Sequence, residues 1–139
     1  MMISTKGRYA LRVMIDLAEH ADEGHIPLTE IAERQGISEK YLESILAVLS
    51  KAGILDALRG KHGGYRLSRP PEAYSAYEIL RLTEGSLAPV QCVDDSSECE
   101  QSDTCRTLWL WKGLDEVIEA YLRRFTMTDI VAGGKGGGR

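Results

Sequence analysis

The 139-residue chain is 43% hydrophobic, enough to bury one core without disulfide staples, and its three cysteines cannot all pair. No charged start followed by an apolar run marks a secretory leader, and no stretch approaches the roughly 20 apolar residues of a membrane span, so a cytoplasmic, reducing setting is expected. The net charge of −4 hides an asymmetry: residues 1–70 hold 10 basic against 9 acidic residues and residues 71–139 hold 7 against 12, so a polyanion would meet the first half.

The first predicted helix runs from Thr5 to Ala21, with Ala10, Met14, Leu17, Ala18 and Ala21 recurring on one face. Its start carries Lys6, Arg8 and Arg12. Cations there oppose the helix dipole, which suits them to an outside anion rather than to local stability. Residues 27–38, PLTEIAERQGIS, form a short helix built on Ile31 and Ala32 and stopped by Gly36. Ser38 caps the next helix, where Leu42, Ile45, Leu46 and Leu49 make a single apolar stripe. Lys40, Tyr41, Glu43 and Ser44 face outward near its start. Two short helices joined by a tight glycine turn make a helix-turn-helix pattern, in which Ser38 and the first amides suit a phosphate and Tyr41, Glu43 and Ser44 suit base edges. A purely solvated face is the bland alternative for the same residues.

After Gly53 the period becomes alternating. Two strands, at 54–58 and 65–68, are joined by Gly60, Lys61, His62, Gly63 and Gly64 and closed by Pro70 and Pro71. A hairpin directly behind a helix-turn-helix reads as a wing: its glycines permit close backbone approach to a groove or phosphate, and Arg59, Lys61 and His62 supply charge. Residues 59–69 contain four basic residues and no acid. Ser75 and Glu78 have capping-box spacing and open a helix with Ala76, Ile79, Leu80 and Thr83 inward, ending at Gly85.

The next segment holds all three cysteines, spaced Cys92-x6-Cys99-x5-Cys105, in a loop almost without apolar residues. Asp94, Asp95, Glu98, Glu100 and Asp103 stand among them and would disfavour thiolates unless a cation is present. A bound metal resolves that conflict. Zinc wants four sulfur or histidine ligands and finds three here, so an iron–sulfur cluster is the better match, its fourth position left to an oxygen ligand, a small thiol or a residue from elsewhere. Three unrelated free thiols are the bland alternative. His20, His25 and His62 read as surface turn residues. From about Cys105 a long helix begins, with Trp111, Leu114, Ile118, Tyr121 and Phe125 alternating three- and four-residue steps and Leu108, Leu110, Val117 and Leu122 widening the stripe. That is more apolar surface than one small domain covers, so the helix is read as a dimerisation element, burial in its own core being the alternative. Thr126 and Asp129 cap a last short helix ending at Gly133, before a flexible glycine-rich tail at 133–139. No nucleophile–base pair, nucleotide loop or convergent carboxylate pair stands out, so no enzyme chemistry is expected.

The expected architecture is therefore mainly α with a small β-hairpin wing: a winged helix-turn-helix DNA-binding domain over 1–85, a cysteine-rich loop over 86–104, and a dimerisation helix with a short terminal helix over 105–132. In order and in residues the chain resembles the IscR-type winged-helix transcription regulators, the family that also contains NsrR and CymR. The likeness is carried by STKGRYAL at 4–11, IAERQGIS at 31–38 followed by YLE at 41–43, RGKHGGYRL at 59–67, and the three-cysteine loop ahead of the long helix. It implies a homodimer on partly palindromic double-stranded promoter DNA, with residues 38–44 as recognition helix and 59–65, including Tyr65, as wing. Lys6 and Arg8 match the family's basic start. The dimer interface is expected at Trp111, Leu114, Ile118, Tyr121, Leu122 and Phe125. Cys92, Cys99 and Cys105 match the cluster ligands, with 2Fe-2S favoured over 4Fe-4S. Where IscR-type proteins carry a histidine three residues past the last cysteine, this chain has Leu108, and where NsrR-type proteins use an N-terminal aspartate it has Arg8. The fourth ligand stays open, as do a nitric-oxide-sensing reading and a cluster-free thiol-redox or cysteine-metabolism reading.

Overall fold

A computed structural model describes residues 2–94 and 105–133. Its elements in chain order are helix α1 (Thr5–Glu19), α2 (Leu28–Gln35), α3 (Glu39–Lys51), strands β1 (Leu55–Leu58) and β2 (Gly64–Leu67), then α4 (Ala76–Glu84), α5 (Gln91–Asp94), α6 (Leu108–Arg123) and α7 (Met127–Val131). The described residues are thus mainly helical with a two-stranded antiparallel hairpin, a winged helix-turn-helix followed by a long C-terminal helix. Among the described residues, no helix is long and apolar enough to cross a membrane.

Helix α1 starts where Ser4 accepts a hydrogen bond from the Gly7 amide, and it stops at Glu19 because the chain turns into a 3-10 turn at Ala21–Glu23. Ala21, expected on the buried stripe, is consequently exposed, while Val13 joins Ala10, Met14 and Leu17 in the core. Gly36 ends α2 in the left-handed conformation, φ +65°, and Ser38 then caps α3 by accepting from the Tyr41 amide. Leu42, Ile45, Leu46 and Leu49 are fully buried against α1, Ile31, Ile54, Tyr74, Ile79 and Met127. Full burial of side chains of this size is worth about 1.5–3 kcal/mol each before entropy is counted, so this one cluster holds the fold together.

Three polar locks complete the packing. The Tyr74 hydroxyl donates to the Ile54 carbonyl at 2.6 Å and accepts from the Arg69 amide at 2.9 Å, fastening the base of the hairpin. The Arg69 guanidinium lies over the Tyr74 ring and forks onto Glu78 at 3.1 and 2.9 Å. The expected capping box at Ser75 is therefore half formed: Ser75 caps the Glu78 amide, but the Glu78 carboxylate is held by Arg69. Glu84 accepts from the amide and hydroxyl of Ser4, joining the end of α4 to the start of α1. Gly7 permits this, since a Cβ at that position would collide with the Glu84 carboxylate.

At the C-terminal end, α6 packs along α4, and the Ala76 amide bonds the Phe125 carbonyl while the Met127 amide bonds the Tyr74 carbonyl. Thr126 and Asp129 form the full capping box of α7, which tucks Met127 into the core against α1.

Candidate nucleic-acid interface and cysteine segment

The helix-turn-helix is positioned from beneath by a buried carboxylate. Asp16, 2% exposed, receives Arg34 Nε at 2.9 Å, Arg34 Nη2 at 2.7 Å and Gln35 Nε2 at 3.0 Å, so α1 grips the last turn of α2. Burial pushes the Asp16 carboxyl up, but the bonds from Arg34 and Gln35 and the nearby positive charge outweigh it and hold it below the usual range. Arg34 is correspondingly held above the ordinary arginine range, chiefly by that bond to Asp16. On the adjoining face, Arg12 donates to the Gln35 side chain at 3.0 Å and to the Gln35 carbonyl at 3.1 Å.

Of the residues expected to meet DNA on α3, Ser38, Lys40, Glu43 and Ser44 are exposed. The Ser38 hydroxyl serves the helix cap, and the Ser44 hydroxyl donates to the Tyr41 carbonyl at 2.7 Å. Tyr41 does not face freely outward: its ring is half-buried, edge-on to Tyr9 with centroids 5.9 Å apart, and Arg12 lies over the Tyr9 ring at 4.7 Å. On α1, Arg8 is exposed and donates to Thr5, while Lys6 is half-buried.

The wing divides between outside and inside. Arg59, Gly60, Lys61 and His62 are exposed at its tip. Half of its basic residues are used internally: Arg66 pairs with Asp56 at 3.0 Å and Arg69 with Glu78 at 2.9 Å. The glycines are likewise partly structural. A Cβ on Gly63 would strike the Leu58 carbonyl, and one on Gly64 would strike the Ile26–Pro27 backbone, where Ile26 and Tyr65 exchange bonds of 2.8 and 2.9 Å as a third strand-like pairing. Close backbone approach inside the protein thus accounts for these two glycines. His20 and His25 are not free turn residues either: His20 Nδ1 lies 2.8 Å from the Asp16 carbonyl, and His25 Nε2 lies 3.4 Å from the Asp56 carboxylate.

The cysteine segment is not wholly loop. Gln91–Asp94 form one helical turn, α5, packed on α6, and it carries Cys92; Cys105 stands just before α6. Both thiols are half-buried and unpaired. Cys105 Sγ lies 3.3 Å from the Thr107 hydroxyl, and bonds from Thr107 and from the first amides of α6 draw its thiol below the usual range. Cys99 lies outside the described residues, as does the tail from 134 onward. Among the described residues no three metal-ligating side chains converge. Leu108, at the first position of α6, is half-buried. A polar cavity of about 200 Å³ separates α4, α5 and α6, lined by Tyr77, Arg81, Asp94 and Asp115; burial pushes the Asp115 carboxyl up, and Glu119 and Asp94 add to it.

Helix α6 has no buried residue. Trp111, Ile118, Leu122 and Phe125 are half-buried, whereas Leu114 and Tyr121 are exposed together with Trp109, Leu110 and Val117. The exposed apolar line therefore runs Leu110, Leu114, Val117, Tyr121, because α4 takes the opposite side of the helix, and it includes Leu114 and Tyr121 of the residues expected at the interface. Ile3, Val117, Ile118, Tyr121 and Leu122 line an apolar groove of about 330 Å³ beside it.

Comparison with known proteins agrees with this architecture. The family model Rrf2, described as an iron-dependent transcriptional regulator, matches residues 3–133. A putative HTH-type transcriptional regulator, ORF2, of Azotobacter vinelandii is 39% identical over 132 residues, covering 95% of this chain and 80% of that protein. The HTH-type transcriptional regulator IscR of Yersinia enterocolitica is 36% identical, covering 94% of this chain and 79% of its own length. Among solved structures, CymR, the global cysteine regulator of B. subtilis, superposes with TM-score 0.73 at 35% identity over 96% of this chain and 98% of its own. IscR of T. potens superposes with TM-score 0.72 at 39% identity over 96% of this chain and 88% of its own. With a winged helix-turn-helix, a long C-terminal helix and a family match over residues 3–133, the chain belongs to the Rrf2 family of transcriptional regulators.

Proposed function

We propose that the chain is a homodimeric regulator that binds promoter DNA through α3 and the wing and holds an iron–sulfur cluster on Cys92, Cys99 and Cys105. The observation that carries the DNA reading is the polar start of α3 beside an exposed basic wing tip: Ser38, Lys40, Glu43 and Ser44 on one, Arg59, Lys61 and His62 on the other. Lys and Arg there meet phosphates, while Glu43 can accept from a cytosine amino group. Lys6, Arg8 and the backbone at Gly60 extend the same contact.

The donor chemistry fits a cluster. Cys92 on α5 and Cys105 just before α6 are unpaired thiols, α5 packs on α6, and bonds from Thr107 and the Leu108 amide favour thiolate at Cys105. When bound, the cluster would supply a redox- and iron-sensitive charge to this segment, 2Fe-2S being favoured over 4Fe-4S. Leu108 offers no donor, so the fourth ligand is an oxygen ligand, a small thiol or a residue from elsewhere. Because α5 packs on α6 and α6 on α4, a change in the order of residues 92–105 bears on the element that sets the spacing of two recognition helices.

The exposed seam of α6, with Leu114 and Tyr121, is the homodimer face. The free, thiolate-favouring Cys105 also supports a second reading, a cluster-free thiol switch. Anaerobic purification with iron and sulfide counted per chain separates the two. Stoichiometric iron and sulfide that disappear in Cys92→Ser, Cys99→Ser and Cys105→Ser support the cluster; an iron-free protein with a reversible disulfide sinks it.

A further inference from the structure

Arg12 has a geometry that neither its own helix nor the core requires. Its guanidinium is pinned twice to Gln35, through the side-chain and backbone oxygens, and lies 4.7 Å above the Tyr9 ring. Gln35 is itself fixed, because its amide nitrogen donates to the buried Asp16. Tyr9 in turn meets Tyr41 at the start of α3. A continuous chain of contacts therefore runs Arg34–Asp16–Gln35–Arg12–Tyr9–Tyr41, from a buried ion pair to the recognition helix.

A guanidinium has five N–H donors, and two of those on Arg12 are accounted for. Arg34, Arg66, Arg69 and Arg123 each have a carboxylate partner. Among the described residues neither Arg12 nor Arg8, one turn away on the same face of α1, has one. Like charges four residues apart on an exposed helix repel each other slightly, so the pair sets a small local cost against the neutral bonds to Gln35 and Thr5. Held rigid, lacking a counter-ion and one ring away from the recognition helix, Arg12 has the features of a site that awaits an anion from outside.

We infer that Arg12 is a further DNA-backbone contact: a phosphate clamp pre-organised by Gln35 and Asp16, which extends the α1 contact proposed for Lys6 and Arg8 by one turn along the helix. The inference rests on the DNA-binding reading proposed above. Gln35 and Asp16 are positioning residues, acting through the fork they hold still. A pre-organised fork loses less side-chain freedom on binding than a free arginine does. A phosphate contact also carries no base information, so Arg12 raises affinity for every duplex alike.

The test is the salt dependence of binding by the full chain to a promoter duplex and to a scrambled duplex of equal length. Removing one phosphate neutralisation lowers the slope of log K against log salt by about 0.9. Arg12→Gln is therefore expected to reduce the slope by about that amount per bound subunit and to weaken both duplexes by the same factor. Arg12→Lys should keep most of the slope with lower affinity, having charge without the fork. Gln35→Met should keep the slope and weaken binding less than Arg12→Gln does. An unchanged slope in Arg12→Gln, with or without a shift in dimer dissociation or melting temperature, overturns the inference and leaves Arg12 a strut between α1 and α2. A wild-type protein without salt-dependent duplex binding sinks the DNA reading itself, so the two failures are distinguishable.

Discussion

Helices α3 and α6 each carry an apolar stripe in sequence yet sit in opposite situations. In the first, the stripe of α3 is fully buried and its surroundings are locked by Asp16, Tyr74 and Glu84. In the second, a 16-residue helix has no buried residue and leaves Trp109, Val117 and Tyr121 at 73%, 63% and 54% exposure. Monomeric proteins seldom leave such a contiguous stripe in water. An apolar stripe alone therefore does not say what covers it; the polar locks do, since they mark the surfaces whose partners are already within the chain.

The largest break in this contrast is expected on α6. Val117→Asp places a carboxylate in the middle of the exposed seam, so a dimer built there should weaken about 100-fold or more while each subunit keeps its fold, because a buried unpaired charge costs several kcal/mol. Sedimentation and thermal melting read the two halves of that statement, and a dimer left intact would remove α6 from the interface. A smaller effect is expected in the core. Tyr74→Phe deletes the donor to Ile54 and the acceptor for Arg69, and unfolding in denaturant should show a loss of about 1.5 kcal/mol with dimerisation unchanged.

The smallest effect sharpens the role of the buried ion pair. The Asp16 carboxyl is held below its ordinary range, so the stability it contributes is present above that range and is lost as pH falls through its folded value. Unfolding midpoints measured downward from about pH 6 should fall most steeply below about pH 4. Asp16→Asn should flatten that fall by about 1 kcal/mol. An identical pH curve in the variant would show that other carboxylates carry the acid sensitivity.

Much of the fold was legible from local spacing. The stripe of α3, the caps at Ser38 and Thr126 and the stop at Gly36 depend on residues within four positions of one another, and each formed as read. Capping at Ser75 was legible only halfway, because Glu78 is nine residues from the arginine that claims it. The site was less legible than the fold. Glu43, Arg59 and Lys61 are exposed as the pattern implies, but Tyr41 is committed to Tyr9, Gly64 to Ile26, and Arg66 to Asp56. A buried Asp16 gave no signal, since its partners lie 18 and 19 residues away.

By itself, then, the sequence determined the order of the helices other than α5, the hairpin and the family resemblance, because periodicity, caps and turn residues act over a few positions along one chain. Only the tertiary structure decided which side of α6 stays open, which arginines pair with a carboxylate inside the chain, and which glycines serve the protein's own backbone. Those outcomes depend on contacts between residues far apart in sequence, where burial and pairing are set by the neighbour that arrives rather than by the residue itself.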